Sequence, residues 1–428
     1  MATAVSVREI DSGNITFYST YDDARSAANA GDVISIFANL NESIYLKTGV
    51  DIYIDPGTVI EVTTSEPTIF DGEGAICNIT GGAIIKNSSN AGISIINNGS
   101  IVNIECQRIE SEGSASVVFD GADRCSLICD SVFNQNGTAI NVSNCLDLFM
   151  RIGKVESGTP EDLNGGDPVI SLASSPGSIY INEIICNGYG SCINHISGTI
   201  AANITNIYTL LPANETPDTA SPTILLAGEG DDPDLTLYFD EIKNLNSNEG
   251  DAVKITKGKA NLIGRKIMCI QGKSLDLTDS IVSAFIQCDE IVSLTQGINI
   301  ENSDEPIIID TSYIEGNIGN YGVVKSVSGS NYILRNAKIK CTDETEDSIC
   351  IYIDEGEQNI EFENLILVTG NLIDGETILR VGDNIEIRNL NLFVNKSINE
   401  NLITLLIGTG MIVPEDYNYK YIVSDEIS

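Results

Sequence analysis

Short runs of β-prone residues recur along the chain at a nearly constant spacing. Each run has four to six residues and is rich in Ile, Val and Leu. The runs begin at Ser114, Thr138, Pro168, Ser191, Pro222, Asp251, Lys273, Gly297, Gly322, Ser348, Glu376 and Asn401. Their spacing averages about 26 residues, with single steps between 22 and 31 residues. A repeat of this length is typical of solenoid proteins.

Each step contains further short strands. Residues 377–381, 384–388 and 391–394 form three such runs within one step, separated by Gly, Asp and Asn residues. Runs of this length, rich in β-branched residues and bounded by turn residues, favour strands over helices. Three strands per step predict an all-β fold, a parallel β-helix whose coils pair with the coils above and below. Apolar side chains then point inward and polar side chains outward, because successive residues of a strand face opposite sides.

One helix is expected, close to the N-terminus. Thr20 is a suitable N-cap, Asp22 and Asp23 follow it in the first turn, and Gly31 is a suitable end. The open core of a solenoid has to be covered at its ends, so this helix is predicted to cap the first coil.

The chain is accordingly divided into three parts. Residues 1–31 are the N-terminal segment with the capping helix, residues 32–410 the parallel β-helix, and residues 411–428 a C-terminal cap or contact segment. The longer steps place extra residues at 159–166 and 211–221, which we expect to leave the coils as loops.

The charge balance narrows the range of partners. The chain has 61 acidic and 23 basic residues, so its formal charge is −38. Nucleic-acid affinity comes largely from Lys and Arg at phosphates, and we therefore expect no nucleic-acid partner. The same field repels a polyanionic glycan unless divalent cations bridge the two.

The sequence also bears on location. The N-terminus shows no positively charged region followed by an apolar core, so we expect no signal peptide. The longest apolar stretch, around residues 403–413, is far shorter than the roughly 20 residues that span a bilayer. We therefore expect synthesis in a cytoplasm and no insertion into a membrane.

Eleven cysteines occur without any Cys-x-x-Cys pair. Cys125, Cys129 and Cys145 lie near one another in the sequence, but the chain has a single histidine, His195. Buried free thiols are therefore favoured over a structural zinc site.

The first coils carry a family resemblance. The capping helix followed by residues 31–36 and 46–60 resembles the opening of the pectin-lyase-like superfamily of right-handed parallel β-helices. The resemblance implies a right-handed solenoid, and it is closest in character to bacteriophage tail-spikes and tail fibres. The Asn-Thr-Asp, Gly-His-Gly and Arg-Ile-Lys motifs of polygalacturonase-like members are missing, so their catalytic residues cannot be transferred. His195 lies within a repeat strand, where a structural role is favoured.

Candidate metal ligands are confined to one acidic loop. Glu229, Asp231, Asp232 and Asp234 supply the densest set of oxygen ligands and are the candidates for calcium. Their spacing differs from that of the 12-residue calcium loop, which favours a solvated acidic turn. No catalytic or cofactor-binding residue is assigned, and no cofactor is expected.

These features favour a structural or receptor-binding virion protein of a bacteriophage: a tail fibre, tail-spike or head decoration. Its expected partners are other virion proteins and a host cell-surface glycan. The resemblance to tail-spikes implies a homotrimer. The alternative is an enzyme, a polysaccharide depolymerase that uses a carboxylate pair on the solenoid face. A bacterial adhesin is a third possibility, which would need an export route.

Overall fold

A computed structural model describes residues 4–394 except 73, 160–164, 211–220, 229–230, 247–249, 302, 304, 318–321, 328, 343–348, 355–357, 370–378, 382–385 and 389–391. The chain divides into two compact units, residues 1–210 (unit 1) and residues 211–428 (unit 2), and each is described by itself. The predicted C-terminal segment 411–428 lies outside the described residues.

Unit 1 contains one helix and nineteen strands among its described residues. They are β1 (Val5–Arg8), β2 (Ile15–Tyr18), α1 (Tyr21–Ala27), β3 (Val33–Ile36), β4 (Ile44–Tyr45), β5 (Asp51–Ile54), β6 (Val59–Val62), β7 (Ile69–Phe70), β8 (Ile76–Gly81), β9 (Ile84–Asn87), β10 (Ile93–Ile95), β11 (Ile101–Ser111), β12 (Ala115–Asp120), β13 (Arg124–Asn134), β14 (Thr138–Ser143), β15 (Leu148–Ser157), β16 (Ile170–Ala173), β17 (Gly177–Asn187), β18 (Ile193–His195) and β19 (Gly198–Leu210).

Unit 2 consists of strands wherever the structure describes a regular element. They are β20 (Ile224–Leu226), β21 (Pro233–Leu245), β22 (Val253–Cys269), β23 (Leu275–Ser293), β24 (Ile298–Ile300), β25 (Ile307–Gly316), β26 (Val324–Ser326), β27 (Asn331–Arg335), β28 (Lys338–Cys341), β29 (Ile351–Ile353), β30 (Asn359–Glu363), β31 (Leu365–Thr369), β32 (Leu379–Val381), β33 (Glu386–Arg388) and β34 (Leu392–Val394). No helix of the described residues is long and apolar enough to cross a membrane.

The predicted repeat is confirmed as a line of parallel strand pairs. In unit 1, Val117 of β12 pairs with Ile140 of β14, which pairs with Ile170 of β16. In unit 2, Val253 of β22 pairs with Leu275 of β23. The runs found in the sequence are therefore equivalent strands of successive coils, and the protein is an all-β parallel β-solenoid.

The step of a coil varies, as the sequence predicts. The pair Val253–Leu275 spans 22 residues, whereas Ile140–Ile170 spans 30 residues. In the longer step the extra residues lie between the end of β15 at Ser157 and the start of β16 at Ile170. This position agrees with the insertion expected at 159–166. Residues 211–220 of the second insertion lie outside the described residues.

Alternation along the strands builds the core. In β13 the inward residues Cys125, Leu127 and Cys129 are buried, and the residues between them face outward. In-register pairing stacks Val102, Cys125 and Leu148 from successive coils on one another. Each coil can bury its apolar face only against its neighbours, which explains why the repeat has to be stacked.

Buried asparagines close one set of turns. Asn134, at the end of β13, is fully buried. Its Oδ1 accepts hydrogen bonds from the amides of Asn136 (2.9 Å) and Gly137 (2.6 Å). Its Nδ2 donates to the Gly113 carbonyl (3.0 Å) and to Ser116 Oγ (3.2 Å) in the preceding coil. A single side chain therefore provides hydrogen-bond partners for the backbone of the turn and links two coils.

The capping helix is confirmed, with one correction. α1 begins after Thr20, whose Oγ1 accepts a hydrogen bond from the Asp23 amide (3.2 Å). The predicted glycine end is wrong, because the helix stops at Ala28 in extended conformation, three residues before Gly31. Lys47 Nζ donates to the Arg25 carbonyl at 3.1 Å and so replaces a glycine cap.

An antiparallel hairpin completes the N-terminal end, and the sequence reasoning missed it. β1 pairs antiparallel with β2 and with β3, so that Val5 lies opposite both Tyr18 and Ile36. β1 thus occupies the edge of β3 that a preceding coil would otherwise pair. A search for parallel repeats does not find this element, because it interrupts the repeat.

Candidate ligand-binding groove

The long strands of unit 1 bend near their middle, and this bend shapes a groove. β11, β13, β15, β17 and β19 have 10 to 13 residues each. At Gln107 and Arg108 two successive residues of β11 are exposed, so the alternation slips where the strand turns from one face to the next. Gln107 lies in the position that Asp130, Gly153, Asn182 and Thr205 occupy in the following coils.

In one of these coils, close backbone contact at the bend leaves no room for a side chain. A Cβ on Gly153 would lie 2.5 Å from the carbonyl oxygen of Asp130 in the coil before it. That separation is well inside van der Waals contact, so a larger residue would push the two coils apart at the bend.

The concave side of this bend encloses about 940 Å³. One wall is an outward row of in-register residues from five successive coils: Glu105, Ile128, Arg151, Tyr180 and Asn203. The bend residues, two positions further along the same strands, line the groove beside this row. At about 4.8 Å per coil, five coils give the groove a length of roughly 20 Å.

Aromatic side chains project into the groove. The rings of Phe149 and Tyr180 lie 5.9 Å apart at 47°. Phe149 is 36% exposed and Tyr180 is 47% exposed, and Ile128 beside them is 41% exposed. Exposed apolar area gathered in a concave site is characteristic of ligand-binding surfaces.

The charged side chains of the groove are uncommitted. Among the described residues, the side chains of Glu105, Asp130 and Arg151 make no ion pair and no hydrogen bond. Just beyond the bend, by contrast, Lys154 pairs with Glu156 at 2.8 Å. The polar groups of the groove are therefore free to contact a ligand.

The acidic loop that the sequence singled out lies in unit 2. Asp231 and Asp232 are exposed in the turn before β21, and Asp234 lies in that strand. Asp232 is 3.2 Å from Lys257 Nζ, which neutralises one carboxylate. Glu229 lies outside the described residues. Within the part of the chain that the structure describes, no three His, Cys, Asp or Glu side chains form a metal-binding group.

The histidine and the cysteines are interior residues. His195 is fully buried at the end of β18, and its Nε2 lies 3.1 Å from the Gly198 carbonyl. All eleven cysteines are buried free thiols. Cys125 and Cys129 both lie in β13, and Cys145 lies in the turn between β14 and β15.

A second polar cluster lies in unit 2. Asp276 is almost fully buried, with Lys273 Nζ at 2.9 Å, Lys254 Nζ at 3.1 Å and Asn299 Nδ2 at 2.8 Å. Burial, together with the nearby Asp276 carboxylate, raises the pKa of Asp251 to about 6. The carboxylate of Asp276 is enclosed by its partners, so this cluster offers little room for a ligand.

Comparison with known proteins gives no match. No protein-family model, curated protein or solved structure matches the chain. The fold and the groove define a parallel β-solenoid with a concave, aromatic-lined surface.

Sequence reasoning did not find the groove residues. Glu105, Arg151 and Tyr180 are far apart in the chain and look like ordinary outward positions of a strand. Their proximity follows from the register between coils. The only available signal was the recurrence of outward aromatic and charged residues at one position of successive steps.

Proposed function

We propose that the protein is a structural or receptor-binding component of a bacteriophage virion, and that the groove of unit 1 binds a host cell-surface glycan. Glycan binding is supported mainly by the exposed pair Phe149 and Tyr180, which lies beside polar side chains that have no ion pair among the described residues. Sugar rings have an apolar face that stacks on aromatic rings, and their hydroxyls need hydrogen-bond partners at the rim.

The shape of the groove favours an extended chain over a single sugar. The groove crosses five coils and is open along its side, so several sugar units can lie along it. Asn182, Asn203 and Thr205 present neutral hydrogen-bonding groups next to the aromatic pair.

The charges favour a neutral or sparsely charged glycan. With a formal charge of −38, the protein repels a polymer that carries a negative charge on every unit. Arg151 is the cation of the groove, and it suits an occasional acidic substituent.

Assembly as a homotrimer is part of the same proposal. Sedimentation or light scattering of the purified protein measures the mass directly against the 45.8 kDa of one chain. A mass of three chains supports the proposal, and a monomer at micromolar concentration contradicts it.

Two measurements test the function. Mass spectrometry of density-purified phage particles from the source culture should find peptides of this chain at a fixed copy number. A printed panel of bacterial capsular, lipopolysaccharide and cell-wall glycans should show binding to a small set of related structures. Absence from particles removes the virion role, and absence of binding to any glycan removes the role of the groove.

A depolymerase is the second candidate, because two free carboxylates share the groove. Glu105 and Asp130 come from consecutive coils, and the coil spacing and strand rise place their backbones on the order of 8 Å apart. Side chains that leave outward positions at this backbone separation can bring their carboxyl groups to the separation of about 6.5–9.5 Å that inverting glycosidases use. New reducing ends released from a bound glycan, and lost in both Glu105→Gln and Asp130→Asn, would establish this activity in place of simple binding.

A further inference from the structure

Two cysteines from consecutive coils meet at the wall of the groove. Cys106 of β11 pairs in register with Cys129 of β13, and their sulfur atoms lie 3.6 Å apart. Neighbouring parallel strands lie about 4.8 Å apart, and disulfides bridge Cα atoms separated by about 4.4–6.8 Å. A disulfide has a sulfur–sulfur distance of about 2.05 Å, so the two side chains need to approach by only about 1.5 Å.

The other cysteines are placed differently. Cys125 also interacts with Cys145, but its strand partner in the next coil is Leu148. Cys288 lies opposite Thr311, 3.8 Å from its hydroxyl. The pair of Cys106 and Cys129 thus combines strand register with direct sulfur contact.

The pair lies next to the groove but is almost completely covered, so only a small reagent is suited to reach it. Both residues line the groove of unit 1, although each is only 5% exposed. The hydrogen bond with Cys129, together with burial, raises the pKa of the Cys106 thiol well above its usual range. The thiolate is therefore scarce at neutral pH, and oxidation should be slow there and faster in alkaline solution.

We propose that Cys106 and Cys129 form a redox modification site, at which hydrogen peroxide links two coils through a disulfide. The thiolate of one cysteine attacks a peroxide oxygen and becomes a sulfenic acid, while the other oxygen leaves as water after taking up a proton. The second sulfur then displaces the hydroxyl of the sulfenic acid as water, and the S–S bond forms. Two thiols and one peroxide give one disulfide and two waters, and two electrons pass from sulfur to peroxide.

The bond changes the wall of the groove. The carbonyls of Ser131 (3.0 Å) and Gln107 (3.4 Å) now share the one thiol proton of Cys129, and oxidation removes both contacts. It replaces them with a covalent tie between consecutive coils. The site is independent of the glycan proposal, because its formation is measured without any ligand.

The test uses the folded, fully reduced full-length chain. After treatment with a small excess of hydrogen peroxide at about pH 8, where more thiolate forms, the free thiols are blocked with N-ethylmaleimide in denaturant. We expect the number of blocked thiols to fall from eleven to nine. Trypsin should give one cross-linked pair of peptides, that of Cys106 joined to the peptide that carries Cys125, Cys129 and Cys145.

Two matched variants locate the bond within that peptide. The cross-link should persist in Cys125→Ser and disappear in Cys129→Ser. If Cys129→Ser does not fold, fragment-ion sequencing of the cross-linked wild-type peptides assigns the sulfur instead. The proposal is overturned if Cys106 and Cys129 stay free, if each is oxidised separately to a sulfinic acid, or if the bond forms to Cys125 or Cys145.

Discussion

The two units use the same bend of long strands, and they differ in how many charges beside it are paired across coils. In unit 1 the charged residues that line the groove, Glu105, Asp130 and Arg151, have no ion pair among the described residues, and the groove has a volume of about 940 Å³. In unit 2 Arg265 Nε lies 2.7 Å from Asp240, Arg335 Nε lies 2.9 Å from Asp310, and the corresponding groove encloses about 240 Å³. Charges that are paired across coils are less available to a ligand, so we expect the groove of unit 1 to be the better binding surface.

The units differ inside as well. In unit 1 Asn134 makes four hydrogen bonds at its turn, whereas the equivalent Asn244 of unit 2 bonds to the Asn246 amide (3.0 Å) and the Asp251 carbonyl (2.9 Å). Unit 2 also buries the charged cluster around Asp276. We therefore expect the buried polar groups of unit 1 to be better satisfied by hydrogen bonds. We expect the stability of unit 2 to depend on pH, because its buried cluster contains ionisable groups.

The largest expected effect comes from the buried turn. Asn134→Ala removes four hydrogen bonds made by one fully buried side chain, and we expect it to lower the free energy of unfolding by about 3 to 5 kcal/mol. Asn244→Ala breaks two bonds and should cost about 1 to 3 kcal/mol. Urea denaturation followed by circular dichroism measures both losses.

Asn141 is half-buried and faces outward, so Asn141→Ala is the control for these two variants. It should change stability by less than either of them. Equal losses for Asn134→Ala and Asn244→Ala would contradict the difference between the two turns.

The next effect concerns the carboxyl of Asp251. In the unfolded chain this group ionises near 3.8 and in the folded chain near 6, so the folded state holds an extra proton between these values. Stability from this group is therefore present at pH 4 and lost as the pH rises through 6. Asp251→Asn should raise the free energy of unfolding at pH 7 by about 2 to 3 kcal/mol. It should also reduce the slope of stability against pH between about pH 4 and 6.

The urea midpoint at pH 4, 5, 6 and 7 tests this prediction. Lys254, Lys273 and Asp276 face the group and remain unchanged in the variant. The exposed Asp11→Asn controls for the loss of one negative charge. A variant that keeps the wild-type slope would show that Asp251 does not carry this proton.

The smallest expected effect is a difference in glycan affinity between variants of two arginines, Arg151 in unit 1 and Arg265 in unit 2. Arg151→Ala removes a cation that has no ion pair, and we expect the affinity for a bound glycan to fall by at least about tenfold, since hydrogen bonds to charged groups contribute about 1.5–3 kcal/mol. Arg265→Ala removes an arginine that is already paired and should leave that affinity unchanged. Calorimetric titration compares the two variants, and equal losses would contradict the distinction between the bends.

The fold could be read from the sequence to a greater extent than the site. The spacing of the β-prone runs predicted strand pairs such as Val253 with Leu275, because a solenoid repeats the same local pattern in every coil. The end of the helix at Ala28 and the hairpin of β1 and β2 escaped prediction, since both depend on contacts at the end of the stack. The groove also escaped prediction, because the neighbours of Arg151 are set by register across whole coils.

The central claim is that the groove of unit 1 binds a glycan and the equivalent surface of unit 2 does not. Tyr180 and Tyr238 offer a matched pair, because they occupy equivalent outward positions and are 47% and 48% exposed. Calorimetric titration with the strongest glycan of the panel should show at least about tenfold weaker binding for Tyr180→Ala, about 1.4 kcal/mol, and wild-type binding for Tyr238→Ala. Wild-type binding by Tyr180→Ala, or equal losses in both variants, would contradict the account.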